Sequence, residues 1–365
     1  MIERASERGS SGAHFLDGRT VLVTGGTGSF GKAFVRGVLQ RARPRRLVVF
    51  SRDELKQHEM AQELAGAGCL RFFIGDVRDV ERLRRAMREV DYVVHAAALK
   101  QVPTAEYNPF ECIRTNIGGA ENVINAAIDS GVRKVIALST DKAANPINLY
   151  GATKLAADKG IVAANHLAGA NGTRFSIVRY GNVFGSRGSV VETFRRLVAE
   201  GARELPITDA RMTRFWITLR RGVEFVLDRL EVMAGGELFI PKIPSMKLVD
   251  LARAIGPGCR LVEVGIRPGE KLHEVLLPGD EARQALEFAR HFTIQPAFSW
   301  WKRDDHLVER GEHGRPVPDG FEYASDKNPD VIRPESIGRI LEDSESCAPS
   351  LVRPAPAAAA SSSRV

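Results

Sequence analysis

The stretch that decides the fold is Thr24-Gly25-Gly26-Thr27-Gly28-Ser29-Phe30-Gly31, which lies between an apolar run at residues 20–24 and a helical pattern at residues 32–39. Three of its glycines stand three positions apart, which permits a tight turn, close approach of backbone N–H groups to a pyrophosphate, and close helix packing. A glycine motif alone is weak evidence, but the flanking strand and helix strengthen it. We therefore predict a dinucleotide site contacted by Gly25, Thr27, Gly28, Ser29, Phe30 and Gly31.

Short β-rich runs alternate with helical patterns over the first half of the chain. They cover residues 20–24, 47–50, 71–74, 92–95, 134–139 and 175–179. This alternation predicts an α/β fold, a doubly wound parallel Rossmann-like sheet whose ligands lie at the carboxyl ends of the strands. Six prolines interrupt shorter elements from residue 206 to about residue 290, which indicates a smaller C-terminal substrate-binding lobe packed on the sheet.

The end of the second strand indicates which dinucleotide binds. Arg52 directly follows Ser51 there, and an arginine at this position pairs with a 2′-phosphate, which favours NADP. Lys56 adds a second positive charge, although both cations could instead be solvated residues at a helix start. The cofactor contacts expected at these and later strand ends are Ser51, Arg52, Lys56, Asp76, Val77, Ala96 and Lys100.

The composition limits the classes of protein that need to be considered. Of 365 residues, 44% are hydrophobic and 27% charged, which suits a globular protein with a substantial core. No apolar run is long enough to cross a bilayer and the N-terminus lacks a signal-peptide core, so we expect no membrane partner and a cytoplasmic location. Four widely spaced cysteines favour reduced thiols and no metal site. The net charge of +7 suits anionic small molecules, and no basic block indicates nucleic acid.

The chain divides into five predicted regions. Residues 1–16 form a flexible N-terminal extension, residues 17–190 an NADP-binding Rossmann domain with the catalytic residues, and residues 191–295 mainly a substrate-binding lobe. Residues 296–346 form a C-terminal extension of uncertain structure, and residues 347–365 a disordered tail.

The predicted catalytic residues follow the fifth strand. Tyr150 and Lys154 stand four positions apart, on one face of the next helix. Tyrosine has a pKa near 10, so it acts as a base at neutral pH only beside a cation, which Lys154 and an oxidised nicotinamide could supply. Such pairs are common by chance, but this one lies at the edge where a substrate must meet the cofactor. Thr140, at the strand end, could hydrogen bond to the reacting hydroxyl.

Together these motifs resemble the extended short-chain dehydrogenase/reductase superfamily. Asp141 and Lys142 directly follow Thr140 and add an acid/base pair that dehydratases need. The stretch STDKAANPINLYGATK at residues 139–154 most closely resembles the inverting UDP-N-acetylglucosamine 4,6-dehydratases of pseudaminic acid biosynthesis, and the resemblance spans residues 17–295. Further matching segments are residues 24–32, 51–56, 72–79, 95–100, 106–117, 179–191, 211–218 and 265–274.

The resemblance implies a mechanism with NADP bound throughout. Hydride leaves sugar C4, water is eliminated across C5 and C6, hydride returns to C6, and C5 is inverted. Tyr150 accepts the C4 hydroxyl proton, Lys154 holds the ribose, Thr140 steadies the C4 oxygen and Asp141 protonates the departing C6 hydroxyl. Lys142 takes the C5 proton, which requires a depressed lysine pKa; alternatively, Lys142 and Asp141 only shape the loop. The donor that reprotonates C5 stays open between Tyr150, Lys142 and water.

The resemblance also implies partners. These are UDP-N-acetylglucosamine and further copies of the chain in a homo-oligomer such as a hexamer, with flagellin glycosylation as the biological setting. The expected substrate-binding residues are Lys100, Asn182, Arg187, Ser189, Val190, Arg214, Arg267 and Glu270, although each arginine could instead form an internal salt bridge. The alternatives are a UDP-sugar 4-epimerase, which shares Tyr150 and Lys154 but needs no Asp141-Lys142, and a non-catalytic NADP-binding regulatory protein.

Overall fold

The computed structural model describes residues 13–169, 172–297 and 308–346. Within these ranges the strands are β1 (Thr20–Thr24), β2 (Arg46–Ser51), β3 (Leu70–Ile74), β4 (Tyr92–His95), β5 (Lys134–Thr140), β6 (Arg174–Tyr180), β7 (Asn182–Phe184), β8 (Glu204–Ile207), β9 (Thr213–Thr218), β10 (Leu238–Pro241), β11 (Ser245–Lys247), β12 (Arg260–Glu263), β13 (Val275–Leu277), β14 (Ala285–Glu287), β15 (His291–Ile294), β16 (Val308–Glu309), β17 (Glu312–His313), β18 (Arg315–Pro316) and β19 (Tyr323–Ala324).

The α-helices of the same ranges are α1 (Ser29–Arg41), α2 (Glu54–Glu63), α3 (Val80–Ala86), α4 (Val102–Tyr107), α5 (Pro109–Ile113), α6 (Gly119–Asp129), α7 (Leu149–Leu167), α8 (Val190–Ala199), α9 (Leu219–Val232), α10 (Leu248–Ile255) and α11 (Pro334–Ser346). Short 3₁₀ turns cover His14–Leu16, Asp141–Ala143 and Gly279–Gln284, and a π-helical turn at Arg114–Gly118 joins α5 to α6.

The main sheet has ten strands in the order β18-β14-β15-β10-β6-β5-β4-β1-β2-β3. The predicted parallel Rossmann-like sheet is confirmed, because β1 to β6 pair in parallel and β4 lies between β1 and β5. Strands β1 and β4 have the predicted bounds, and the other four are longer by one residue at one or both ends. All residues of β1 and β4 are buried, as expected for parallel strands covered by helices on both faces.

The main sheet continues beyond the predicted six strands. Strand β10 pairs in parallel with β6, and β15, β14 and β18 follow in antiparallel register. Part of residues 191–295, expected to form mainly a lobe, therefore belongs to the main sheet. The physical reason is that β6 would otherwise be an edge strand, and the wholly buried run of β10 satisfies its unpaired backbone groups. The division into domains itself stays a prediction.

A second hydrophobic core defines the smaller lobe. It buries side chains of β7, α8, β8, β9 and α10, among them Phe184, Phe194, Trp216 and Leu251. Helix α11 completes this core with Ile337, which is wholly buried. Residues 308–346, for which the sequence predicted no definite structure, thus add β18 to the main sheet and α11 to the lobe.

The start of the described chain is ordered earlier than expected. Residues 14–16 form a 3₁₀ turn, Leu16 is wholly buried, and the ring of Phe15 meets Tyr92 edge-on at 5.6 Å. The expectation of flexibility is therefore wrong for residues 13–16, because Leu16 packs into the main core. Residues 1–12 and the predicted tail at 347–365 lie outside the described residues. Of the helices described, none is both long and apolar enough to span a membrane.

Candidate active site

The candidate active site is a cleft of about 800 Å³ at the carboxyl ends of the parallel strands. Its walls come from the glycine turn after β1, the ends of β2, β4, β5 and β6, the start of α7, and the loop before β13. Every residue predicted to act in catalysis, cofactor binding or substrate binding lines this cleft. Residues from both sequence halves therefore meet in one place, while their individual roles stay predictions.

The glycine turn at the start of α1 fits a dinucleotide pyrophosphate. A Cβ atom on Gly31 would lie 2.5 Å from the backbone of Gly26, so only glycine allows the helix to begin this close to the turn. Gly28 is the N-cap of α1 and supplies no side-chain cap. The first N–H groups of the helix therefore need another acceptor, and an anion in the cleft can satisfy them.

The cations predicted to recognise a 2′-phosphate lie at the end of β2. The Arg52 guanidinium is 3.5 Å from Asp76 Oδ2, and the Lys56 ammonium pairs with Asp53, which also caps α2. Ser51 is buried, and its hydroxyl accepts a hydrogen bond from Gln57 at 3.0 Å. Both cations line the cleft, but each already has a carboxylate partner, so a phosphate would have to compete for them.

Lys142 lies between two carboxylates at the end of β5. Its Nζ is 3.1 Å from Asp141 Oδ1 and 3.3 Å from Glu274 Oε1, and Thr140 donates a hydrogen bond to Asp141 Oδ1 at 2.8 Å. Burial lowers the pKa of Lys142, but Asp141 and Glu274 together outweigh it and hold that pKa above its usual value. The expected depression of the Lys142 pKa is therefore wrong, because two nearby anions favour the charged amine.

Tyr150 and Lys154 lie on the first turns of α7, as predicted. Asn148 caps the helix by accepting a hydrogen bond from the Gly151 N–H at 2.7 Å. A Cβ atom on Gly151 would lie 2.1 Å from the carbonyl oxygen of Lys142, so glycine alone allows the helix to bring Tyr150 this close to Lys142.

Burial dominates the electrostatics of the Tyr150 and Lys154 side chains. It raises the pKa of Tyr150 to about 12, and the cation that most opposes this rise is Lys142 rather than the expected Lys154. Burial also lowers the pKa of Lys154, against the opposing charge of Asp158. The Lys154 ammonium donates a 2.7 Å hydrogen bond to the carbonyl of Leu138. Lys154 is thus fixed to β5, and Lys142 provides the positive charge that most lowers the Tyr150 pKa.

Some of the predicted substrate-binding residues are exposed in the cleft, and others are hydrogen bonded within the protein. Arg187 and Arg267 are exposed where they line the cleft. The Lys100 ammonium donates to the Arg187 carbonyl at 3.0 Å, which links two loops of the cleft. Arg214 is buried, and its guanidinium donates to the carbonyls of residues 213, 271 and 272. Asn182 lies at the start of β7, Ser189 caps α8, Val190 begins it, and Glu270 contacts Arg214 at 3.4 Å.

Glu274 lies beside Lys142 and was not among the residues predicted from the sequence. Glu274 is 1% exposed and follows Lys271, whose ammonium donates to the Ala144 carbonyl at 2.5 Å. The segment 265–274 was noted for its resemblance, but a glutamate more than a hundred residues from Lys142 gives no spacing signal. Its contact with Lys142 forms only because the segment before β13 folds back onto the end of β5. Among the described residues, no group of three or more histidine, cysteine or acidic side chains could hold a metal ion.

The chain is similar in sequence and in fold to known proteins. The model of a family described as "Polysaccharide biosynthesis protein" matches residues 21–296. A protein of Campylobacter jejuni named UDP-N-acetylglucosamine 4,6-dehydratase (inverting) is 58% identical over 313 residues, which cover 85% of this chain and 93% of the relative. A protein of Rickettsia akari named UDP-glucose 4-epimerase is 42% identical over 287 residues, with 77% and 83% covered. The X-ray structure of Pen from Bacillus thuringiensis has 36% identity and a TM-score of 0.83, and the match covers 91% of this chain and 99% of Pen.

Proposed function

The chain belongs to the polysaccharide biosynthesis protein family, and from this premise we propose that it is an inverting UDP-N-acetylglucosamine 4,6-dehydratase. It converts this nucleotide sugar to UDP-2-acetamido-2,6-dideoxy-β-L-arabino-hex-4-ulose with loss of water. The observation that carries the proposal is the ion-paired set of Asp141, Lys142 and Glu274 beside Tyr150, in the cleft of the glycine turn. The name of the 58% identical relative supports the same reaction.

We propose NADP as the cofactor. The support is the uncapped start of α1 for the pyrophosphate and the two cations Arg52 and Lys56 at the end of β2. When bound, NADP would supply the hydride acceptor for sugar C4 and the hydride donor for C6. The chain supplies the proton transfers within the cleft.

Tyr150 is the proposed base for the C4 hydroxyl. Its ring is buried at the start of α7, so the phenol oxygen is held in place while its pKa is raised to about 12. Positive charge must therefore offset burial before Tyr150 can take a proton at neutral pH. Lys142 supplies part of that charge. Lys154, held on β5, is proposed to bind the ribose.

Asp141 and Lys142 are the proposed pair for elimination. Oxidation at C4 makes the C5 proton acidic, and the Lys142 amine takes it. Asp141 Oδ1 lies 3.1 Å from Lys142 Nζ, so the proton can pass on to Asp141 and leave with the C6 hydroxyl as water. The C5–H and C6–O bonds break, the C5–C6 double bond forms, and the pair returns to its starting state.

The name of the Rickettsia akari relative favours a second candidate, a UDP-sugar 4-epimerase. That reaction uses Tyr150 and Lys154 but gives no task to the buried carboxylates around Lys142, so we rank it second. Mass analysis after incubation with UDP-N-acetylglucosamine decides between the two. A dehydratase product is lighter by one water, whereas an epimerase product has unchanged mass.

Further proposals extend from the resemblance noted in the sequence. We propose that Lys100, Arg187 and Arg267 meet the UDP diphosphate, because Arg187 and Arg267 are exposed where they line the cleft and Lys100 is bonded to the loop of Arg187. Arg214 is proposed to act by holding the wall of the substrate site. Assembly into a homo-oligomer, a cytoplasmic location and a place in pseudaminic acid biosynthesis and flagellin glycosylation stay predictions.

A further inference from the structure

Glu274 is a buried acid with an unusual setting at the floor of the cleft. Its backbone precedes β13 and is fixed by Ser325, whose N–H donates to the Glu274 carbonyl at 2.8 Å and whose hydroxyl accepts from the Glu274 N–H at 3.0 Å. The side chain is 1% exposed and lines the cleft. The C-terminal segment thus holds this carboxylate in one position.

The charges around Glu274 come from three other parts of the chain. Lys142 lies 3.3 Å from Oε1, with Asp141 on its other side. Arg214 on β9 lies 3.8 Å from Oε1, and Lys271 lies 3.9 Å from Oε2. From the residue that follows β19, the contact is the Ser325 hydroxyl, which does not titrate. Oε2 itself is buried and accepts no hydrogen bond from the described residues.

The protonation state that Lys142 needs as a base differs from the one that its neighbours favour. As the base for C5 it must be a neutral amine, yet the carboxylates beside it favour the ammonium form. A proton acceptor within hydrogen-bond distance of Nζ can take the ammonium proton of Lys142 directly, so that this proton does not have to enter water. Asp141 and Glu274 are the two candidates by distance.

We propose that Glu274 is a positioning residue that acts through Lys142: its Oε1 takes the ammonium proton of Lys142 and leaves the amine able to accept the C5 proton of the sugar. The N–H bond at Nζ breaks as an O–H bond forms on Glu274, so the pair changes from two charged groups to two neutral ones. Glu274 keeps that proton while Lys142 and Asp141 carry the C5 proton to the departing hydroxyl.

Glu274 suits this task better than Asp141 does. Asp141 Oδ1 already accepts a hydrogen bond from Thr140 at 2.8 Å, so part of its accepting capacity is used. The Glu274 carboxylate is buried, and burial raises its pKa above the usual 4.5 although Lys142, Arg214 and Lys271 oppose the rise. Asp141 is therefore free to protonate the C6 hydroxyl.

The test compares Glu274→Gln, Glu274→Asp and a matched control, Glu237→Gln. Glu237 is also a buried acid, 3% exposed, but it binds backbone N–H groups of residues 234 and 235 away from the cleft. The readout is deuterium exchange at C5 of the 4-keto product in deuterated water, measured against pH, together with kcat, KM and thermal unfolding.

We expect Glu274→Gln to slow C5 exchange by about 10²-fold with KM unchanged, since an acid/base group typically contributes about 10² to 10⁴. Wild-type exchange should fall on the acid side at a pH above 4.5, as Glu274 gains a proton and can no longer accept one. That fall should disappear in Glu274→Gln and persist in Glu274→Asp, which restores part of the rate. Glu237→Gln should lower only the unfolding temperature.

The proposed proton relay from Lys142 to Glu274 is overturned if Glu274→Gln exchanges the C5 proton at the wild-type rate and with the wild-type pH profile. If Glu274→Gln does not fold, the wild-type profile decides: an acid-side fall above pH 4.5 that Glu274→Asp retains supports the relay, and its absence overturns it. The inference rests on the proposed function, but the two fail differently. A wild-type protein that removes no water from UDP-N-acetylglucosamine overturns both, whereas normal dehydration by Glu274→Gln overturns the relay alone.

Discussion

Replacement of Lys142 separates its electrostatic role from its chemical role. Lys142→Met removes the cation between Asp141 Oδ1 at 3.1 Å and Glu274 Oε1 at 3.3 Å. Unit charges at these distances attract by about 5 kcal/mol at an effective dielectric constant near 20. Desolvation offsets much of that attraction, and Arg214 and Lys271 remain beside Glu274, so we expect a loss of roughly 3 kcal/mol in the free energy of unfolding.

Lys142→Arg is the matched variant. The guanidinium keeps a positive charge between the two carboxylates, so the free energy of unfolding should stay near that of the wild type. Arginine does not lose its proton at accessible pH and cannot serve as a base. Exchange of the C5 proton should therefore fall by about 10² to 10⁴ in both variants, while both still bind NADP.

Three measurements on purified protein check this prediction. Denaturant unfolding gives the stability, calorimetric titration with NADP gives cofactor binding, and deuterium incorporation at C5 followed by NMR gives the exchange rate. Exchange by Lys142→Arg within about tenfold of the wild-type rate would refute Lys142 as the base. Equal stability of Lys142→Met and wild type would refute the ion pairing as a source of stability.

Three further predictions follow from the same structure. Tyr150→Phe should slow the oxidation at C4 by about 10²-fold or more, seen as loss of transient NADPH absorbance, while folding persists because the buried ring is kept; normal absorbance changes would contradict the role of the hydroxyl. Arg52→Ala should weaken NADP binding by about tenfold, the equivalent of 1.4 kcal/mol, and leave NAD binding unchanged in a parallel titration; equal weakening of both would assign Arg52 to another task. Burial holds the pKa of His95 at about 3, below its usual 6.5. The neutral, buried His95 therefore costs no stability above pH 6.5, but the free energy of unfolding falls by up to about 5 kcal/mol as pH falls towards 3. His95→Gln should flatten this part of the curve of unfolding free energy against pH, and an unchanged slope would contradict the prediction.

Local spacing made the cofactor turn and the Tyr150-Lys154 pair predictable. The glycines act within eight residues of one another, and a pair four positions apart on a helix must share a face. The presence of six parallel strands followed from alternation alone. These features depend on neighbours in the sequence, and the structure places them where the pattern indicated.

The missed features depend on contacts between distant parts of the chain. The pKa of Lys142 was predicted in the wrong direction because the charge of the adjacent Asp141 was not weighed against burial. The second anion, Glu274, comes from a loop 132 positions away (274 minus 142) and has no local signal. Strand β10 was assigned to the lobe because nothing local shows that it pairs with β6. The same limit hid the ordered segment at residues 323–325, which fixes Glu274 only through tertiary pairing.

Dehydration of the nucleotide sugar with inversion at C5 can be tested in a single incubation. The purified protein is incubated with UDP-N-acetylglucosamine in deuterated water, and the product is analysed by mass spectrometry and NMR. We expect a 4-keto sugar that has lost one water and carries deuterium at C5 in the L-arabino configuration. Its C6 methyl group should be free of deuterium, because the hydrogen added to C6 comes from C4. An unchanged sugar, a C4 epimer of equal mass, or a keto sugar that retains its C5 configuration would contradict it.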